Sequence, residues 1–208
     1  DRIAECAYAT DAAMDHVIAA RPGLADKPTV LVGMSGGAMA LPTVYAYRPD
    51  RYDSAVLIAG GANFLRIMIE SNYRDWIDAI ILDFDPSSPL DNGKPTAGQV
   101  QRLSELYLGK SRLDAYHTAA EMSRIPVLML HATNDRAVPA ALGNILHQRL
   151  AEPERWTYPL GHELIFAGLP TQIARIDRWL TEHVLEAMGG PTVTESPSGE
   201  SSGAADSE

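Results

Sequence analysis

The sequence predicts an α/β protein: a parallel sheet with flanking helices and an inserted helical cap. Three observations lead there. Short continuous apolar runs ("TVLVG", "SAVLIAGG", "IPVLMLHA") alternate with stretches of helical periodicity, the pattern of strands buried on both faces of a parallel sheet. The first of these runs climbs through "VLVGMSGGAMA" into a glycine-flanked serine before a helix-compatible stretch. Residues Ala62 to Ser123 then break the alternation with an insertion too long for a simple crossover.

Bulk properties bound the class. At 208 residues the chain fits one domain with a sizeable core. A hydrophobic fraction of 46% describes a globular protein rather than a disordered or membrane chain. No apolar run approaches the roughly 20 residues of a membrane span. A net charge of −10 argues against a nucleic-acid surface, which needs clustered Lys and Arg. With Cys6 alone, an intrachain disulfide and a multi-cysteine zinc site are excluded.

Taken in order, Ile3, Cys6, Ala7, Met14, Val17 and Ile18 fall on one face of an opening helix. No capping sequence precedes it and the chain opens on Asp1, so the natural N-terminus is expected upstream, with any targeting signal out of view. A cytoplasmic location is the working expectation. "RPG" and "DKP" mark a turn before the first strand. A helix over 36–47 follows, closed by Arg48-Pro49-Asp50, with a kink expected at Pro42. Further strands are expected at 54–61, 125–132 and 155–159, with helices at about 139–151 and 164–187. The core thus comprises 1–61 and 124–188. The cap, 62–123, carries a helical pattern at Leu65, Ile69, Tyr73, Trp76, Ile77 and Ile80, then the loop "DPSSPLDNGKP", then a second helical segment near 97–122. Asp83, Asp85, Asp91 and Asn92 in that region lack the spacing of a calcium loop and read as a solvated loop. The small, polar, acidic tail 189–208 reads as disordered.

Three readings compete for the serine turn. A P-loop needs a lysine next to Ser or Thr at the helix start, where this chain has Ala38 and Met39. The dinucleotide fingerprint wants glycine at the position of Ser35. Both phosphate readings fail on those residues. Gly33-Met34-Ser35-Gly36-Gly37 does match G-x-S-x-G between a strand and a helix, the context in which a serine is presented as a nucleophile. Side chains beside such a turn would collide, which favours glycine, and the Gly36 N–H at the helix start would point toward a developing oxyanion. An ordinary strand-to-helix turn is the alternative.

A serine nucleophile needs a base, and the base an orienting acid. His16, His117, His147 and His183 fall in expected helices, where solvated or capping roles fit better, and His131 ends a strand, where a structural hydrogen bond fits better. His162, in "YPLGHELIF", follows the last strand at the mouth of a helix. Asp135, in "LMLHATNDRAVP", sits in the loop after the third strand, with Pro139 opening the next helix. Each has a bland reading, as a capping histidine and a turn aspartate. The order Ser35, Asp135, His162, one after each of three strands, is the chain order of an α/β-hydrolase triad.

With these motifs assembled, the sequence resembles the C-terminal two-thirds or so of an α/β-hydrolase. "YRPDRYDSAVLIAGG" resembles the family's lead into the strand after the nucleophile, "PVLMLHATNDRAVP" its acid loop and "GHELIF" its histidine loop. The resemblance implies a partial α/β-hydrolase fold, with Ser35 as nucleophile, His162 as general base then acid, Asp135 as orienter and Gly36 as an oxyanion donor. The motifs point to the superfamily and not to one activity; the activity expected here is cleavage of a small-molecule carboxylic ester with a small or medium apolar acyl group, with no metal or organic cofactor. Amide or peptide cleavage on the same triad is the near alternative. Met34, Phe64 and Trp76 are candidate substrate contacts, although residues such as Phe64, Leu65, Met68, Trp76 and Ile80 also read as the cap's own core.

The sequence departs from the family at its start. The first strands are absent, and with them the loop that supplies the second oxyanion donor, whose loss costs on the order of 10²–10³ in rate. The strand before Ser35 should therefore be unpaired on one side, which invites aggregation or association. A missing N-terminal half, a partner chain or a homo-oligomer contact would each cover it. A non-catalytic, hydrolase-like fragment that binds through this edge is the reading of a different class.

Overall fold

The computed structural model describes residues 2–73, 90–91 and 94–185. Helix α1 (Arg2–Ala20) leads to β1 (Val30–Met34), α2 (Gly36–Tyr47) and β2 (Ser54–Ile58). After α3 (Phe64–Glu70) come the short strands β3 (Leu90–Asp91) and β4 (Lys94–Pro95), then α4 (Ala97–Lys110) and α5 (Ala115–Thr118). The chain closes with β5 (Val127–Ala132), α6 (Ala140–Arg149), β6 (Glu154–Tyr158), α7 (His162–Gly168) and α8 (Ile173–Leu180).

Four parallel strands form the main sheet in the order β1-β2-β5-β6, with Gly33 opposite Leu57, Ile58 opposite Leu130 and Ala132 opposite Tyr158. β3 and β4 pair separately and antiparallel. The strands read as continuous apolar runs because both faces of β2 and β5 are covered. Leu31, Ala55, Leu57, Val127 and Met129 enter one core with residues of α2, while Val56, Ile58, Leu128 and Leu130 enter a second with Trp156, Ile165 and Trp179. Alternation along each strand assigns successive residues to opposite faces.

β1 is, with β6, one of the two edge strands of this sheet. Among the described residues it pairs with β2 alone, and its Val32 and Met34 are 61% and 52% exposed while Leu31 and Gly33 are buried. On the Val32 face the covering that β2 and β5 receive reaches β1 at Val30 and leaves Val32 and Met34 exposed.

Several boundaries differ from the sequence reading for identifiable reasons. The strand expected over 125–132 starts at Val127, since Pro126 has no N–H to give the ladder; its carbonyl still accepts from Ala55 N at 3.0 Å. The helix expected over 164–187 begins at His162 and is broken at Leu169-Pro170-Thr171, so that α7 and α8 are separate. In α1, Cys6 and Val17 are exposed, and Ala7 carries the buried contact. α2 runs through Pro42 without ending there.

In the insertion, α3 buries Leu65, Ile67 and Ile69, and the expected helix near 97–122 is split at Ser111–Asp114. Its last part returns to the main core: Ala115, Ala119 and Met122 pack with Val44, Tyr45 and Leu146. Asp114 ties this region together from a buried position. It accepts from Asn63 N, Phe64 N and Tyr116 N at 2.7–2.9 Å and from the Tyr107 hydroxyl at 2.9 Å. Burial, and then the Asp114 charge, push the Tyr107 phenol up. Trp76, Ile77, Ile80, Asp83, Asp85 and Asn92, and the tail 189–208, lie outside the described residues. Among those described, no helix is long and apolar enough to cross a membrane.

Candidate active site

The sheet brings the three candidate residues to one rim. Each strand end is stitched to its neighbour: Ser35 N donates to Ile58 O at 2.9 Å, Ala59 N to Leu130 O at 2.9 Å, and Thr133 N to Tyr158 O at 2.8 Å. The loops that follow β1, β5 and β6 therefore start level with one another.

Ser35 occupies the turn between β1 and α2 with φ 52° and ψ −119°, a left-handed conformation that costs a non-glycine residue of order 1–3 kcal/mol. Two neighbours hold it. A Cβ on Gly33 would stand 2.7 Å from Leu41 Cδ1 and 2.8 Å from Ala38 N, so only glycine lets α2 fold back this closely. Met39 N donates to Ser35 O at 3.1 Å, starting the helix at the turn. The steric expectation fails for Gly36 and Gly37: a Cβ at either would meet no described atom within 4 Å. Glycine there leaves open space above the turn, and the first-turn amides have no intrahelical acceptor.

Asp135 is buried and doubly employed. Its Oδ1 accepts from Ala137 N at 2.9 Å and Val138 N at 2.8 Å, which folds the loop after β5, while Oδ2 meets His162 Nδ1 at 2.7 Å. Asn134 N donates to Leu160 O at 3.1 Å, joining the acid loop to the histidine loop. His162, also buried, sits at the start of α7 behind Gly161, and its Nε2 lies 2.9 Å from Ser35 Oγ. Ser35 itself is half-buried. A hydroxyl, an imidazole and a carboxylate thus form one hydrogen-bonded relay, open to solvent at the serine end. Such a relay can move the serine proton onto the imidazole and hold the resulting positive charge.

The other candidates scatter. Phe64 lines a recess of about 40 Å³ with Gly36, Met39, Ala40, Gly61 and Ala115, and it also packs against Ile67, Val138 and Leu142. Met34 is exposed on the edge strand β1. Trp76 lies outside the described residues. Of the remaining histidines, His117 and His147 bond the carbonyls of Leu108 and Pro153 through Nε2, and His183 bonds that of Trp179 through Nδ1.

Two residues beside the relay, Tyr73 of the cap's helical pattern and Phe166 of "GHELIF", carry no sequence signal of a role there. The Tyr73 ring lies edge-on to His162, with centroids 6.0 Å apart, and its hydroxyl donates to Glu163 Oε1. That bond holds the Glu163 carboxyl below its usual range and pushes the Tyr73 phenol up. Phe166 stands perpendicular to the imidazole at 4.9 Å. Among the described residues, no group of three or more His, Cys, Asp or Glu could hold a metal ion.

No family model and no curated sequence matches the chain. Solved structures do. The esterase Pf2001 of Pyrococcus furiosus superimposes with TM-score 0.55 at 13% identity, over 85% of this chain and 62% of its own. The acylaminoacyl peptidase of Pyrococcus horikoshii gives TM-score 0.59 at 12% identity, over 82% of this chain and 26% of its own. Est1E from Butyrivibrio proteoclasticus gives TM-score 0.50 at 16% identity, over 76% and 61%. This chain therefore spans less than two thirds of the length of these neighbours. The four-stranded parallel sheet flanked by helices, together with the superposition on these proteins, gives the chain the fold of the α/β-hydrolases.

Proposed function

We propose that this chain carries the catalytic residues of a serine hydrolase that cleaves a carboxylic ester of a small or medium apolar acyl group. The observation that supports this most is the relay itself: Ser35 Oγ, His162 Nε2 and Nδ1, and Asp135 Oδ2 in contact at 2.9 and 2.7 Å, with the serine on a strained turn. In this reading His162 takes the Ser35 proton as Oγ attacks the carbonyl carbon, and the Gly36 N–H receives the oxyanion. Asp135 steadies the imidazolium, which gives its proton to the leaving alkoxide. Water deprotonated by His162 then attacks the acyl-enzyme, releasing the acid and restoring Ser35. Phe64, in the recess beside Gly36, contacts the acyl group.

Amide cleavage is the second reading, favoured by the fold shared with an acylaminoacyl peptidase. At 12% identity that likeness speaks for the fold and leaves the leaving group open. A fluorophosphonate probe on the full gene product tests the proposal. Labelling at Ser35 that is lost in Ser35→Ala is expected, together with turnover of p-nitrophenyl esters over a panel of chain lengths. No labelling alongside stable association with a second chain would replace it with a binding role.

A further inference from the structure

The segment Ser71–Tyr73 crosses from the acid loop to the histidine helix. Asn72 N donates to Arg136 O at 2.9 Å, and Tyr73 N to Ser71 Oγ at 3.0 Å, so its backbone is pinned beside Asp135. From there the Tyr73 side chain reaches α7. Its ring meets the His162 ring at an interplanar angle of 88°, and its hydroxyl engages the carboxylate of Glu163, the next residue along. Phe166, one turn on, meets the same imidazole at 90°. His162 is thus flanked by two aromatic rings, and one of them is tethered by its hydroxyl.

Resting on the serine-hydrolase reading, we propose that Tyr73 is a positioning residue for His162, holding the imidazole between Ser35 and Asp135 and holding the Glu163 carboxylate beside it. The physics has two parts. Perpendicular aromatic contacts restrict ring rotation, and a 1 Å misplacement of a base can cost about 10²-fold. Electrostatically, the titratable groups against the imidazole among the described residues are Asp135 from the loop after β5, Tyr73 from the segment after α3 and Glu163 from α7 itself. Glu163 and a protonated His162 attract each other, an interaction that belongs to the imidazolium formed during turnover. A phenol donating to that carboxylate fixes where its charge sits. Tyr73 therefore acts through His162 and touches no reacting atom.

The test uses Tyr73→Phe, Glu163→Gln and the double variant of the full gene product, with melting temperatures confirming the fold. The primary readout needs no turnover: the NMR signal of the His162 ring Cε1–H at one fixed pH, whose position and width report where the ring sits between its aromatic neighbours. Tyr73→Phe and Glu163→Gln should each shift and broaden that signal, since each frees one end of the tether. Tyr73→Phe should lower kcat about three- to tenfold with KM little changed, and should add little in the Glu163→Gln background, since the two act as one unit. An unchanged His162 signal in all three variants, or effects on kcat that simply add, would overturn the proposal. Absence of probe labelling at Ser35 with a shifted His162 signal would instead remove the hydrolase reading and leave the role of Tyr73 standing.

Discussion

Gly143 and His131 share one space. A Cβ on Gly143 of α6 would stand 2.7 Å from Cε1 and 2.8 Å from Nδ1 of the His131 ring, which is itself buried at the end of β5. The glycine lets α6 pack onto the sheet over that imidazole. Gly143→Ala should cost about 1–3 kcal/mol through overpacking, read as a lowered melting temperature with no new product of proteolysis at neutral pH.

The same burial sets a pH dependence. Burial, then the Arg155 charge, hold the His131 pKa below its usual value, against an opposing pull from Asp135. The unfolded chain therefore binds a proton near pH 6.5 that the folded chain resists. His131 contributes stability fully above that value, and the contribution is lost as pH falls from there through the lowered folded value. Melting temperature should drop between pH 7.5 and 5.5, with a shallower slope in His131→Gln; an equal slope would assign the effect elsewhere.

Asp135 can be dissected because its two oxygens do different work. Asp135→Asn keeps an acceptor for the Ala137 and Val138 amides but presents a donor to His162 Nδ1. Ester turnover should fall by on the order of 10³–10⁴ with the fold intact. Asp135→Ala also strands the two loop amides and should cost about 2–4 kcal/mol of stability. Equal melting temperatures for the two variants would show that the loop does not depend on Oδ1.

Ser54 gives a prediction of opposite sign. Its side chain is fully buried at the start of β2, and its hydroxyl has no hydrogen-bond partner among the described residues. Ser54→Ala removes the cost of desolvating that hydroxyl and should stabilise by about 1 kcal/mol. Chemical denaturation measures it directly, and a loss of stability would mean that a bound water satisfies the group.

At the far end of the sheet Glu154 accepts from the indole N–H groups of Trp156 and Trp179, each at 2.7 Å, joining β6 to α8. Burial pushes its carboxyl upward, but those two hydrogen bonds and nearby cationic groups prevail and hold its pKa below the usual value. The sign follows: the clamp is complete above the ordinary carboxylate range and is lost as pH falls through the depressed value. Tryptophan fluorescence should report loosening of α8 at acid pH, and Glu154→Gln should flatten that transition.

Much of this was legible because strand and loop chemistry are local. β1 and α2 follow from one apolar run, one serine and the glycines around it, and α2 begins and ends where the sequence places it. The order of Ser35, Asp135 and His162 could be read because each follows a strand, and parallel strands deliver their ends to one rim. What escaped depends on contacts distant in sequence. Nothing near Tyr73 announces that its hydroxyl reaches Glu163, and Asp114 reads as one more turn aspartate until four donors converge on it. The break at Pro170 was visible as a residue, but a long amphipathic pattern masked it. The glycines at 36 and 37 were assigned to crowding when the space beside them is open.

The position of β1 has a consequence for heat. The residue proposed to attack substrate hangs from an edge strand of the main sheet, where one side of the backbone carries no neighbour among the described residues. Its alignment with the imidazole on the opposite loop rests on Gly33, on α2 and on the single ladder to β2. β6 is an edge as well, but Glu154 clamps it to α8, whereas Val32 and Met34 of β1 lie exposed. Warming should therefore fray β1 first, so turnover should decline several degrees before the tryptophans on β6 and α8 register any melting.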